Sequence, residues 1–162
     1  PDDQNFDRLL EITALNFGLV DENQRENALR TTRKLLARLQ KHKIWVEIDS
    51  ATVKHHEVPY TMEADQLIDS GKVDLIYQTD LGWKLVDFKL TQINDIDQLN
   101  VEIKKHHHQM ARYRSAMQKL LTDDIHAQLC FLDCMGQVKI INQWGGNDIL
   151  SLQKKLELRS SS

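Results

Sequence analysis

The chain of 162 residues has only two cysteines, two prolines and six glycines, and no apolar run that approaches the length of a membrane span. Two thiols cannot build the disulfide framework of a small secreted domain, and they are too few to ligate an iron–sulfur cluster alone. Cys130 and Cys134 stand four apart in a strand-like segment, an arrangement that predicts free thiols on one face. The short apolar runs and the acidic start, unlike a signal peptide, predict no membrane association and no secretion. A surplus of one charge is also missing. Lys and Arg number 21 against 24 Asp and Glu, a formal net charge of -3, which excludes a strongly basic module. There is no G-x-x-x-x-G-K-[ST] phosphate loop, so nothing in the chain supplies a nucleotide-driven motor. Internal repeats and low-complexity linkers are absent as well.

What remains has an ordinary globular composition, 41% hydrophobic and 28% charged, enough for one compact domain with its own core. A single domain is expected over residues 1–159, with 160–162 as a serine tail. Phe6, Leu9, Leu10, Ile12, Thr13 and Phe17 recur at helical spacing up to Gly18. Asp21 reads as the N-cap of a second helix running to about Lys43, with Ala28, Leu29, Leu35, Leu36 and Leu39 as its buried stripe. That helix carries Arg25, Arg30, Arg33, Lys34, Arg38, Lys41 and Lys43 against Glu22 and Glu26, either a solvated face or a surface that tracks phosphates. Strands are expected near 52–60, ending at Pro59, and near 72–78 and 83–90, with a hairpin turn at Gly82. A long helix from about Asp95 to Leu121 follows, with Ile96, Leu99, Ile103, Met110, Met117 and Leu121 on one stripe. A second hairpin, near 126–133 and 137–143, turns at Met135-Gly136.

The chemistry concentrates in Gly71-Lys72-Val73-Asp74-Leu75-Ile76 and Val86-Asp87-Phe88-Lys89. Asp74 is an acid inside an apolar strand, and a buried carboxylate is costly unless it is paired or holds a metal. Asp87 and Lys89 are two apart, so both leave the same face of their strand. Two carboxylates and an ammonium that converge can hold a hard divalent cation, magnesium or manganese, and activate water for phosphodiester hydrolysis. The alternative is an exposed ion pair on a solvated face, worth little.

Around these residues stand Glu57-Val58-Pro59-Tyr60 upstream and Gln109-Met110-Ala111-Arg112-Tyr113 downstream. The order E-x-P-[FY], G-x-[IV]-D-L, [IV]-D-[YF]-K, Q-x-x-x-Y resembles the PD-(D/E)xK nucleases, in the branch of RecB- and AddA-type helicase-nucleases. The resemblance covers about a third of the chain. It implies an α/β, restriction-endonuclease-like core, a central mixed sheet of about five strands flanked by helices. It implies a Mg- or Mn-dependent deoxyribonuclease that processes DNA ends in recombinational repair, with DNA as partner. A helicase motor would sit in the same parent chain or in a partner subunit, and the location would be cytoplasmic, bacterial-type and nucleoid-associated.

By the same resemblance Asp74, Asp87, Lys89 and Glu57 are catalytic. Asp74, Asp87 and the Phe88 backbone carbonyl are metal ligands, and Gln109 and Tyr113 line the DNA path. Glu57 is either a support for the metal or a surface salt-bridge partner. Tyr113 is either a groove residue or a core residue with a satisfied hydroxyl. The family also carries G-x-x-x-H-x-x-L-E on its first helix. Here Asp7 stands where the histidine would be and Asp3 where the glycine would be, so Asp7 is a candidate fourth ligand. His106-His107-His108 cannot all ligate one ion from a helix, since successive residues point about 100° apart; with Lys104, Lys105 and Arg112 they read as a phosphate-facing surface. Two readings of other kinds remain: a catalytically inactive nuclease-like module that grips DNA, and a protein-interaction domain.

Overall fold

The computed structural model describes residues 3–64 and 67–142. They fall into two compact units divided between Lys41 and His42. The first unit holds α1 (Asp3–Asn16) and α2 (Glu22–Gln40). Gly18, at φ 80°, makes the turn between them. The Asp21 carboxylate caps α2 by accepting from the Gln24 N–H at 2.8 Å, the role its side chain predicts. Three of the basic residues of α2 are engaged within the unit: Arg25 on the Leu19 and Val20 carbonyls, Arg30 on Asn27, and Arg33 on Asp7.

In the second unit α3 (Lys43–Ser50) precedes β1 (Lys54–Ala64), β2 (Leu67–Thr79), β3 (Gly82–Lys89), α4 (Ile96–Leu121), β4 (Ile125–Cys134) and β5 (Gln137–Ile141). Where one helix to Lys43 is expected, α2 stops at Gln40 and His42 starts α3, its Nδ1 accepting from the Ile44 N–H at 3.2 Å. The sheet runs β1-β2-β3-β4-β5. All neighbours are antiparallel except β3 and β4, whose parallel pairing requires the crossover that α4 provides. A five-stranded mixed sheet with flanking helices is the expected architecture. β1 continues through Pro59 instead of ending there. As an edge strand it has a side on which a missing N–H costs no ladder bond.

α4 covers one face of the sheet. Its Leu99, Ile103, Met110 and Met117 pack with Val73, Ile76, Leu85, Leu129 and Phe131 in one buried cluster. On the other face the Tyr77 hydroxyl donates to Glu47 Oε1 of α3 at 2.6 Å, and the Lys84 ammonium meets the same oxygen at 2.7 Å. Burial pushes the Glu47 carboxyl up, but the Lys84 and Tyr77 hydrogen bonds outweigh it and hold the group below its ordinary value.

The cysteines correct an expectation. Both are free and buried, but a register shift between Phe131 and Cys134 interrupts the alternation. Cys134 therefore joins the α4-side cluster with Ile125, Ala127, Leu129 and Phe131, and Cys130 does not. Burial pushes the Cys130 thiol up to about 12, which leaves it inert.

Candidate active site

The site begins where the β2–β3 ladder ends. The antiparallel register runs from Thr79↔Gly82 to Leu75↔Val86. One row further, the Asp74 side chain takes over: its Oδ2 accepts from the Phe88 N–H at 2.8 Å. Alternation along β3 puts Asp87 and Lys89 on the same face as Leu85, the face covered by α4. In β2 both Val73 and Ile76 reach that cluster, so strict alternation breaks beside Asp74.

Asp87 bears the cost of a charge on that face. It is 2% exposed, and among the described residues it is the one buried charged side chain. The Lys89 ammonium stands 2.7 Å from its Oδ2. This is a charge contact, and the oxygen has no well-directed hydrogen bond. Burial pushes the Asp87 carboxyl above its ordinary range; Lys89 opposes the rise, Asp74 adds to it, and His106 lowers it slightly. The buried Asp87 carboxylate thus has an ammonium on one side and a second carboxylate on the other.

Lys89 also donates to Gln109 Oε1 on α4 at 3.3 Å. Gln109 passes its amide N–H to the Tyr113 hydroxyl at 2.7 Å. Tyr113 is buried, edge-on to Tyr60 with ring centroids 5.7 Å apart. Its side chain packs in the core and its hydroxyl is satisfied. The Tyr60 ring lies over Gly71, its partner in the β1–β2 register. A Cβ on Gly71 would fall 2.8 Å from that ring, so only glycine fits.

Glu57 borders this group without joining it. Its backbone is left-handed, at φ 55°, and the register skips it between His56↔Leu75 and Val58↔Val73. The twist turns its exposed carboxylate onto Lys72, with which it forms an ion pair. That pairing raises the Lys72 ammonium above its ordinary value, with Asp74 contributing. In the first unit, Asp7 Oδ1 accepts from Arg33 Nε at 2.9 Å.

The histidine run is not one surface. His107 and His108 are an edge-to-face pair with centroids 5.6 Å apart. His106 is turned inward instead, with Nδ1 3.1 Å from Gln109 Oε1 and Nε2 3.3 Å from Glu102 Oε2. Arg112 pairs with Asp69 at 3.3 Å. Sequence reading missed the Glu102–His106 pair, although the spacing 102, 106, 109, 113 marks one face of a helix.

Among the described residues no three His, Cys, Asp or Glu side chains converge on a point. Two carboxylates with a main-chain oxygen nevertheless form a magnesium-type donor set, because that ion binds through one or two carboxylates and keeps several waters. The buried Asp87 carboxylate, close to Asp74, fits such an ion.

No known family profile matches the chain, and no curated protein matches it in sequence. Among solved structures, a presumptive exonuclease of Eubacterium rectale superposes with a TM-score of 0.50 at 14% identity, over 96% of this chain and 65% of that one. The chain therefore spans about two thirds of its neighbour's length, and the likeness is one of fold. The Vibrio cholerae protein VC1899 matches with a TM-score of 0.38 at 12% identity, over 83% of this chain and 30% of that one. Among the described residues no helix is long and apolar enough to cross a membrane.

Proposed function

We propose that the chain is a metal-dependent DNA nuclease domain hydrolysing phosphodiester bonds, and that Asp74, Asp87 and Lys89 carry the reaction. One observation bears the weight: a buried Asp87 carboxylate, raised by its burial, set beside the Lys89 ammonium and facing Asp74. A buried ion pair of this kind adds little to stability, since the cost of desolvating both charges offsets their attraction. The fold shared with the Eubacterium rectale protein supports the reading.

Asp74, Asp87 and the Phe88 carbonyl would hold magnesium or manganese, with Glu57 and Lys72 at the border. A divalent cation held there supplies Lewis-acid charge at a phosphate oxygen. Lys89 places its ammonium where negative charge develops as water attacks phosphorus. Gln109 orients Lys89, and Tyr113 orients Gln109. The finer reading, DNA-end processing in recombinational repair beside a helicase motor, rests on the order of the four motifs.

The test is cleavage of linear DNA with manganese, with magnesium, and with chelator. Cleavage only in the presence of metal is expected. Lys89→Ala should lower turnover by about 10²-fold or more while DNA affinity changes little. Asp87→Ala should abolish cleavage, and normal cleavage by either folded variant would overturn the assignment. The lack of a third convergent ligand among the described residues favours one other reading, a silent nuclease-like module. DNA binding without cleavage in any metal would establish it.

A further inference from the structure

We infer that His106, anchored by Glu102, is a positioning residue that holds Lys89 in place through the Gln109 amide. The inference rests on the role proposed for Lys89 and extends the site by one turn of α4. Glu102, His106, Gln109 and Tyr113 lie within about 60° of one another around the helix axis, counting 100° per residue. They form a continuous chain of contacts: Glu102 Oε2 to His106 Nε2 at 3.3 Å, His106 Nδ1 to Gln109 Oε1 at 3.1 Å, and the same oxygen to Lys89 Nζ at 3.3 Å.

The donor inventory makes the chain directional. A lysine ammonium can only donate, so the oxygen of Gln109 must face Lys89. The amide nitrogen is then left for Tyr113, where it lies 2.7 Å from the hydroxyl. With the amide so fixed, His106 Nδ1 must donate to Oε1, and Nε2 faces the carboxylate of Glu102. Nδ1 is thereby aimed at Oε1, with the Glu102 carboxylate beside the other ring nitrogen. Lys105 steadies the outer end, 3.2 and 3.3 Å from the two Glu102 oxygens. The side chains of His106 and Glu102 are only 14% and 16% exposed, unlike an ordinary helix-surface pair.

The clamp answers a specific need. A lysine side chain carries large rotamer freedom, and its charge is useful only where it is held. Lys89 has two anchors, Asp87 and Gln109. In the proposed reading Asp87 turns its oxygens to a metal, which leaves Gln109 as the anchor that must not rotate. His106 and Tyr113 grip the two ends of that amide. A helix-stabilising ion pair alone would require none of this alignment toward β3.

The experiment compares His106→Leu with His106→Asn, whose amide nitrogen can replace Nδ1 as donor. The first readout needs no metal or substrate: the two ε-methylene protons of Lys89 by NMR, read in an Asp87→Asn background where Gln109 is the remaining anchor. There they should be inequivalent with His106 and with His106→Asn, and should merge with His106→Leu as the side chain begins to rotate. The second readout is cleavage of linear DNA. His106→Leu should lower kcat about tenfold at unchanged KM, and His106→Asn should recover most of the loss. A folded His106→Leu protein with inequivalent Lys89 protons overturns the inference. So does His106→Asn merging them, which also decides the matter should His106→Leu fail to fold. If the wild type cleaves no DNA, the nuclease reading fails while the NMR comparison still decides whether His106 positions Lys89.

Discussion

At the scale of single residues, function and stability pull against each other at Asp87. Its carboxyl is raised above the ordinary range because burial disfavours the charged form. The sign of the consequence follows from linkage. The folded chain holds that proton more tightly than the unfolded chain, so Asp87 favours folding most below the ordinary carboxylate range. Its contribution is lost as pH rises from the unfolded value toward the raised folded one. Asp87→Asn removes the buried charge, while Lys89 keeps Gln109 as a partner. Without metal at neutral pH, the variant is expected to melt a few degrees above wild type, on the order of 1 kcal/mol. That advantage should vanish in acid, and cleavage should be lost throughout. Thermal melts in chelator across pH check it; a variant less stable at neutral pH would contradict the assignment of strain to Asp87. Asp87 and Lys89 were legible in the sequence because two-residue spacing on a strand fixes a shared face. The direction of Glu57 was not, because it depends on a left-handed backbone at a non-glycine residue, which spacing does not encode.

At the scale of elements, the motif order acquires a packing reason. The tyrosine that closes Glu57-Val58-Pro59-Tyr60 lies on the glycine that opens Gly71-Lys72-Val73-Asp74, and its ring edge meets Tyr113 of α4. Three motifs distant in sequence therefore form one stack that sets the height of α4 over the sheet. Gly71→Ala would push a methyl group to 2.8 Å from the Tyr60 ring. The expected cost is about 1–3 kcal/mol, with reduced cleavage because Tyr60 moves against Tyr113 and so against Gln109. Adding Tyr60→Leu should return part of the stability lost through Gly71→Ala, since the two side chains occupy one space. A double-mutant cycle by chemical denaturation measures the coupling, and strict additivity would show that they do not compete. The helix from Asp95 and the β2–β3 and β4–β5 hairpins were readable from periodicity, caps and turn glycines, but the β1–β2 pair was not. The start of α3 was not, because a histidine N-cap at His42 is a weak signal within a run of helix-forming residues. The bulge after Phe131, which separates the cysteines, likewise leaves no mark in the alternation of apolar residues.

At the scale of the whole molecule, the sheet order follows from connection lengths: three short connections give antiparallel pairs, and the long helix between β3 and β4 gives the parallel one. That crossover lays α4 over the end of β3, which is why a strand lysine and a helix glutamine twenty residues apart meet. The formal charge of -3 hides this local arrangement, and the basic run of α2, partly spent on Asn27, Asp7 and main-chain carbonyls, does not by itself mark a surface for DNA. A cation at Asp74 and Asp87 would act on the whole fold, because it binds the native chain and relieves a buried charge at once. Binding restricted to the folded state stabilises by RT ln(1 + [L]/Kd), about 2.7 kcal/mol at a hundredfold excess over Kd. Manganese should therefore raise the melting temperature of the wild type in a saturating manner. The shift should disappear in Asp74→Asn and in Asp87→Asn, and persist in Lys89→Ala, which removes a neighbouring positive charge without removing a ligand oxygen. Persistence of the full shift in Asp87→Asn would place the ion elsewhere. Its absence from the wild type would count against a cation between Asp74 and Asp87 and leave Lys89 as the partner of the buried Asp87 carboxylate.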